Sequence, residues 1–180
     1  MAIPFPGGSI RPWQAADAQV LARLADDRAV WLNLRDAFPH PYSRKDARAW
    51  IRAAGRQAPC RHFALVAGET LPAVAGGIGI IDQTDVHAGT AEIGYWLGSP
   101  FWGRGIMSAA LEAFTVFAFA EYGLRRLYAR VFAWNPASMR VLEKCGYVKE
   151  GVLRASAIKD GRVVDEAIFA RLARGAAALG

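Results

Sequence analysis

Residues 92–106 read E-I-G-Y-W-L-G-S-P-F-W-G-R-G-I, and the change of pattern inside them decides the fold. The first half alternates as a strand does, with Ile93, Tyr95 and Leu97 on one face. The second half places Gly103, Arg104 and Gly105 directly ahead of a long apolar run. Where a strand turns into a helix, unpaired backbone N–H groups and the helix dipole point at one spot, and glycine lets a ligand approach the main chain closely. Such a spot suits phosphate. No G-x-x-x-x-G-K-[ST] occurs, and the third glycine and downstream acid of a dinucleotide fingerprint are missing, which disfavours ATP, GTP and NAD.

Beyond the glycines, Ile106, Ala110, Ala113, Phe114 and Phe117 recur at helical spacing and predict a helix over 103–122 that stops at Gly123. Upstream, 62–67, 73–81 and 90–97 are β-rich runs separated by Gly68-Glu69 and by the polar stretch 82–89, the pattern of three consecutive antiparallel strands. Downstream, 127–133 reads as a strand. Asn135-Pro136 then offers an N-cap and a first-position proline for a short helix that ends near Cys145 and Gly146. Residues 147–154 and 163–171 form a hairpin about Lys159-Asp160-Gly161-Arg162, whose Asp-Gly pair suits a tight turn.

The first third begins with a short strand near Ile10 and is then mostly helical. Val20, Leu21 and Leu24, then Val30, Trp31 and Leu34, keep helical spacing, and Ser43 with Asp46 makes a capping box for a helix through Trp50 and Ile51. This order predicts one mixed α/β domain over residues 1–180, without repeats or a linker.

Composition narrows the function. The 180 residues are 53% hydrophobic and 11% aromatic, with no apolar stretch long enough to span a bilayer, which predicts a soluble globular protein. The start of the chain lacks a charged n-region and an apolar h-region, so a cytoplasmic location is expected. Cys60 and Cys145 have no metal-ligand spacing and read as buried thiols, with no metal site expected. The net charge of +6 favours polyanions, yet Arg11, Arg23, Arg28, Arg35, Arg44, Lys45 and Arg48 are scattered, which fits a small anionic cofactor better than specific nucleic-acid binding.

Taken together, E-I-G-Y-W-L-x-x-P-x-W-G-R-G, then N-P-A-S-M-R-V-L-E-K-C-G-Y over 135–147, then the Asp-Gly hairpin, resemble the GNAT superfamily of acetyl-CoA-dependent N-acetyltransferases. The likeness is nearest to the Rim-type branch, which includes enzymes that acetylate the N-terminal amino group of ribosomal proteins. Phe38-Pro39-His40-Pro41-Tyr42 resembles that branch's N-terminal loop. The resemblance implies an α/β (α+β) fold whose central mixed sheet is mostly antiparallel, has about six to seven strands, splays at the cofactor site and carries helices on both faces. It also implies acetyl-CoA as acetyl donor, no metal, and direct transfer in a ternary complex to a primary amine, either a protein N-terminus or a small molecule.

By the same resemblance the superfamily's loop Q/R-x-x-G-x-G/A falls on Pro100 to Gly105. Pro100 departs from the pattern, but the backbone donors from Gly103 to Met107 remain. The implied cofactor-binding residues are Trp96, Leu97 and Gly98 along the pantetheine arm, then Trp102, Gly103, Arg104, Gly105, Ile106 and Met107 around the diphosphate, and Asn135. Arg140 and Lys144 are weaker phosphate partners. Many relatives protonate the leaving thiolate with a tyrosine where this chain has Leu142, so Ser138 is the substitute donor, unless it only supports the start of its helix. Glu92 is the candidate general base, with a structural ion pair as its alternative. Asp165 matches a family position that reads as structural.

Trp31, Arg35, Asp36, Tyr42 and the loop after Asp82 are candidates for the acceptor cleft. Exposed aromatics would allow a homodimer, and no membrane partner is expected. Two competing readings stand beside the enzyme: a non-catalytic coenzyme A-binding or sensing protein on the same fold, and a nucleic-acid binder.

Overall fold

Glycines and short-range caps set most element boundaries in the computed structural model, which describes residues 2–68 and 73–175. Among these residues eight strands form one mixed sheet in the order β1-β2-β3-β4-β5-β6-β8-β7. The chain divides into two compact units, Met1–Gly79 with Tyr95–Ala110 and Ile80–Gly94 with Leu111–Gly180.

The first unit opens with β1 (Ile3–Phe5) and β2 (Gly8–Pro12), an antiparallel pair that turns through Gly7 at φ +87°. Proline and glycine at the chain start hide this hairpin from a reading by alternation, which expected one strand near Ile10 and so one strand fewer in the sheet. Three helices follow: α1 (Ala18–Ala25), α2 (Arg28–Trp31) and α3 (Arg44–Gly55). The expected capping box opens α3: Asp46 N–H donates to Ser43 Oγ at 3.3 Å, and Ser43 N–H donates to Asp46 Oδ2 at 2.9 Å. Ahead of α1, Arg11 holds Asp17 in a two-pronged pair at 2.8 Å, which compensates a buried carboxylate. Leu21, Ala25, Tyr42, Ala47 and Ile51 form the core between these helices, with Trp13, Phe38 and Trp96 packed against it.

Next, β3 (His62–Ala67) pairs antiparallel with β2 and with β4 (Ala73–Asp82). Glu69, part of the expected break between β3 and β4, lies outside the described residues. The run Gly76-Gly77 in β4 is explained by close approach: a Cβ on Gly76 would sit 2.1 Å from the Trp96 carbonyl oxygen, and one on Gly77 would sit 2.9 Å from the Trp96 indole nitrogen. Trp96 belongs to the end of β5 (Thr90–Leu97).

In the second unit, β6 (Arg126–Phe132) pairs parallel with β5 over Thr90–Arg126, Ala91–Leu127 and Glu92–Tyr128. The registered pairs end there, although β5 runs on to Leu97 and β6 to Phe132. Helix α4 (Ile106–Tyr122) begins at Ile106, and not at Gly103 as its pattern predicts, because Gly103 and Gly105 both adopt φ +74°. Its buried stripe is Met107, Ala110, Leu111, Phe114, Thr115 and Ala118; Ile106, Ala113 and Phe117 are half-buried beside it. After α5 (Pro136–Lys144), strands β7 (Val148–Lys159) and β8 (Arg162–Leu172) form the expected hairpin, and β8 also pairs with β6. Asp160 and Gly161 take φ +52° and +71°, the two left-handed positions that an Asp-Gly turn supplies. Among the described residues no helix is long and apolar enough to cross a membrane.

Candidate functional site

The backbone after β5 is fixed by its own hydrogen bonds. Gly98 N–H donates to the Ala75 carbonyl of β4 at 2.9 Å, and Gly98 C=O receives Phe101 N–H at 3.0 Å in a single turn of 3-10 helix over Ser99–Phe101. Because successive residues of a strand point their N–H and C=O groups to opposite edges, the Leu97 groups face away from β4. The Leu97 carbonyl is taken by the Trp102 indole N–H at 2.8 Å, while the Trp102 ring stays 46% exposed. Residue pattern gave no sign of this clamp. A free Trp side chain and an indole reaching five residues back look alike in sequence.

Gly103, Arg104 and Gly105 follow, all exposed. A Cβ at either glycine would meet nothing within 4 Å, so protein contact does not demand glycine here. The left-handed φ does, and it leaves open space over the main chain. Gly105 C=O accepts the first α4 bond, from Ala109 N–H at 3.1 Å, which puts Ile106 and Met107 in the first turn, where no preceding helical carbonyl can take their N–H groups. The turn thus combines open space, backbone donors and an arginine, a setting for an anionic group. Trp96, Leu97, Gly98 and residues 102–107 are all parts of the first unit.

Glu92, Asn135 and Ser138 belong to the second unit. Asn135 caps α5: its Oδ1 accepts Ser138 N–H at 3.1 Å, and its own N–H donates to the Phe132 carbonyl at 2.8 Å. The Asn135 side-chain NH2 has no hydrogen bond to a described residue. Ser138 is the third residue of α5 and half-buried, and Glu92 is half-buried on β5. Both residues make further interactions within the protein. Arg104, Arg140 and Lys144 are exposed.

Other reactive groups are occupied structurally. Leu142 is a fully buried core side chain. Burial pushes the Cys145 thiol up to about 11, with Glu112 adding to the shift, which keeps it protonated and unreactive at neutral pH. The Tyr147 phenol is buried against the Thr115 hydroxyl at 2.8 Å, and burial raises its pKa. Asp165 Oδ1 accepts Ala155 N–H at 2.7 Å, and Glu166 Oε2 accepts the Ser156 hydroxyl at 2.9 Å, so both acids brace β7. Among the proposed acceptor residues, Tyr42 is a core side chain whose phenol burial pushes up to about 12, and Trp31 stacks on His40 at 5.3 Å.

Comparison with known proteins identifies the family and the fold. Residues 9–148 match the acetyltransferase (GNAT) domain family. The chain is 30% identical over 169 residues, 92% of its length and 93% of the relative's, to the uncharacterized N-acetyltransferase p20 of Bacillus licheniformis. It is 37% identical over 84 residues, 46% of each chain, to the ribosomal-protein-serine acetyltransferase of Escherichia coli. Among solved structures, Mycobacterium smegmatis RimJ in complex with CoA-disulfide aligns with a TM-score of 0.82 at 25% identity, over 97% of this chain and 87% of that one.

Proposed function

The chain belongs to the GNAT acetyltransferases, and on that premise we propose that residues 1–180 form a single N-acetyltransferase domain using acetyl-CoA to acetylate a primary amine, a protein N-terminal α-amino group or a small amine. The observation that carries the reading is the Gly103-Arg104-Gly105 turn, with both glycines at φ +74° and open space above them directly ahead of α4. A side chain at either glycine would fill the space a diphosphate needs, so the residues present fit the cofactor.

In this reading the backbone N–H groups from Gly103 to Met107 and the Arg104 guanidinium hold the diphosphate, Trp102 lies against it, and the Asn135 NH2 donates to the pantetheine arm. The carbonyl groups of Leu97 and Gly98 are already engaged within the turn, as is Gly98 N–H. Of Leu97 and Gly98, this leaves Leu97 N–H as the group suited to a developing oxyanion. Acetyl-CoA supplies a thioester, so no enzyme nucleophile is required, in accord with a protonated Cys145. Glu92 accepts the proton of the attacking amine, directly or through water, and the Ser138 hydroxyl gives one to the departing sulfur. The E. coli relative, a ribosomal-protein-serine acetyltransferase, supports a protein acceptor.

A thiol-release assay with acetyl-CoA over N-terminal peptides, polyamines, amino acids and aminoglycosides tests the proposal. Release with at least one amine is expected, and Ser138→Ala should lower kcat about 100-fold or more while leaving the KM for acetyl-CoA within about twofold. Coenzyme A binding without release for any amine would favour a sensing role instead.

A further inference from the structure

An open cavity of ≈ 520 Å³ in the first unit is lined by the end of α1, the start of α2 and the Ser99–Phe101 turn. Leu24 and Phe101 contribute apolar surface, and Arg23, Asp26, Asp27 and Arg28 bring charges of both signs. Opposite charges three or four residues apart on a helix are within reach of each other. Here Arg23 pairs with neither Asp26 nor Asp27, nor with any other described residue. The chain leaves the helix at Asp26, with φ −80° and ψ 58°, which takes Asp27 off the helical face.

Three of the four charges are partly used. Asp27 caps α2 by accepting Ala29 N–H at 2.8 Å and bonds to Ser99. Arg28 lies over the Trp31 ring at 5.7 Å. Asp26 Oδ1 accepts Tyr42 N–H at 2.9 Å and has His40 Nδ1 at 3.6 Å, but its Oδ2 has no partner among the described residues and its side chain is 47% exposed. The cavity therefore presents one unmatched guanidinium, Arg23, and one unmatched carboxylate oxygen, Asp26 Oδ2. A simple amine would leave Arg23 unanswered, and a simple anion would leave Asp26 unanswered. A ligand with both an ammonium and a carboxylate answers both.

We propose that this cavity recognises the acceptor and selects amines that also carry a carboxylate, holding the carboxylate on Arg23 while Asp26 draws in the ammonium before it gives up its proton and attacks the thioester. This rests on the acetyl-transfer reading and names a substrate class for it. The same chemistry comes from a free amino acid or from a peptide with an acidic residue at its start.

The test measures thiol release with free glutamate, with the amidated peptide Glu-Ala-Ala, and with glutamine amide and amidated Gln-Ala-Ala as carboxylate-free counterparts. Wild type should prefer the carboxylate-bearing member of at least one pair, and the pair that shows the preference identifies the source. Arg23→Gln should raise the KM of that acceptor about tenfold and leave kcat and the KM of its counterpart unchanged. Asp26→Asn should raise KM for both members, with circular dichroism confirming the fold of each variant. Amine acetylation in which Arg23→Gln leaves the pairs undistinguished from wild type overturns the cavity assignment and spares the enzyme. Absence of release with every amine overturns both.

Discussion

Asn135 shows how one residue can carry two roles that sequence merges. Its place before Pro136 predicts an N-cap, and Oδ1 performs that task, but the NH2 left without a described partner is visible only in three dimensions. Asn135→Asp separates the roles, because aspartate caps as well as asparagine yet cannot donate. The urea midpoint should hold while the KM for acetyl-CoA rises about tenfold; Asn135→Ala should lose both, with about 1 kcal/mol of stability. An unchanged KM in Asn135→Asp would leave only the cap. Cys145 gives a pH signature. Its thiol is raised from 9.0 to about 11, chiefly by burial, so the folded state keeps a proton that the unfolded chain loses first. That contribution is complete below about pH 9 and disappears as pH climbs to about 11. Urea midpoints measured from pH 8 to 11 should fall more steeply for wild type than for Cys145→Ala above pH 9. Parallel curves would refute the assignment.

Among the elements, those closed by local chemistry were legible in the sequence. The Ser43–Asp46 box, the Asn135-Pro136 start and the Asp160-Gly161 turn each act over four residues or fewer, and each forms as read. Elements defined by long-range pairing were not. The sequence reading ends the first strand of the hairpin at Arg154, whereas β7 continues to Lys159. At the break, register shifts between Leu153 and Ala157 and Ala155 takes φ +50°, so alternation fails there while the strand goes on. What holds that irregular segment is Asp165 on the facing strand, through Ala155 N–H. Asp165→Ala should therefore cost about 1 kcal/mol, and Asp165→Asn, which retains an acceptor oxygen, less than half of that. Hydrogen exchange at Ala155 is the sensitive readout, expected to quicken in the alanine variant and to change little in the asparagine one. Equal protection in all three proteins would show that the bulge stands without Asp165.

Across the whole molecule, the family was readable because its motifs are contiguous and ordered along the chain, from 92–106 through 135–147 to the hairpin. The acceptor was not, because its candidate cavity joins Arg23 and Asp26 to Ser99, more than seventy positions away in sequence. The Trp102–Leu97 clamp is hidden for the same reason at shorter range. The division into two units has a consequence for unfolding. Its boundaries fall at Gly79–Ile80 inside β4, at Gly94–Tyr95 inside β5 and at Ala110–Leu111 inside α4, so neither unit is a continuous segment and three elements belong to both. Losing one unit would require breaking each of those elements in mid-run, where strand and helix hydrogen bonds are cooperative. One transition is expected. Trp13, Trp31, Trp50, Trp96 and Trp102 lie in the first unit and Trp134 alone in the second, so fluorescence reports mainly on one unit and far-ultraviolet circular dichroism on both. The two urea curves should superimpose, and Trp134→Phe should leave the fluorescence midpoint within about 0.3 M of the dichroism midpoint of the same variant. Separated midpoints would show that the units unfold independently despite their shared elements.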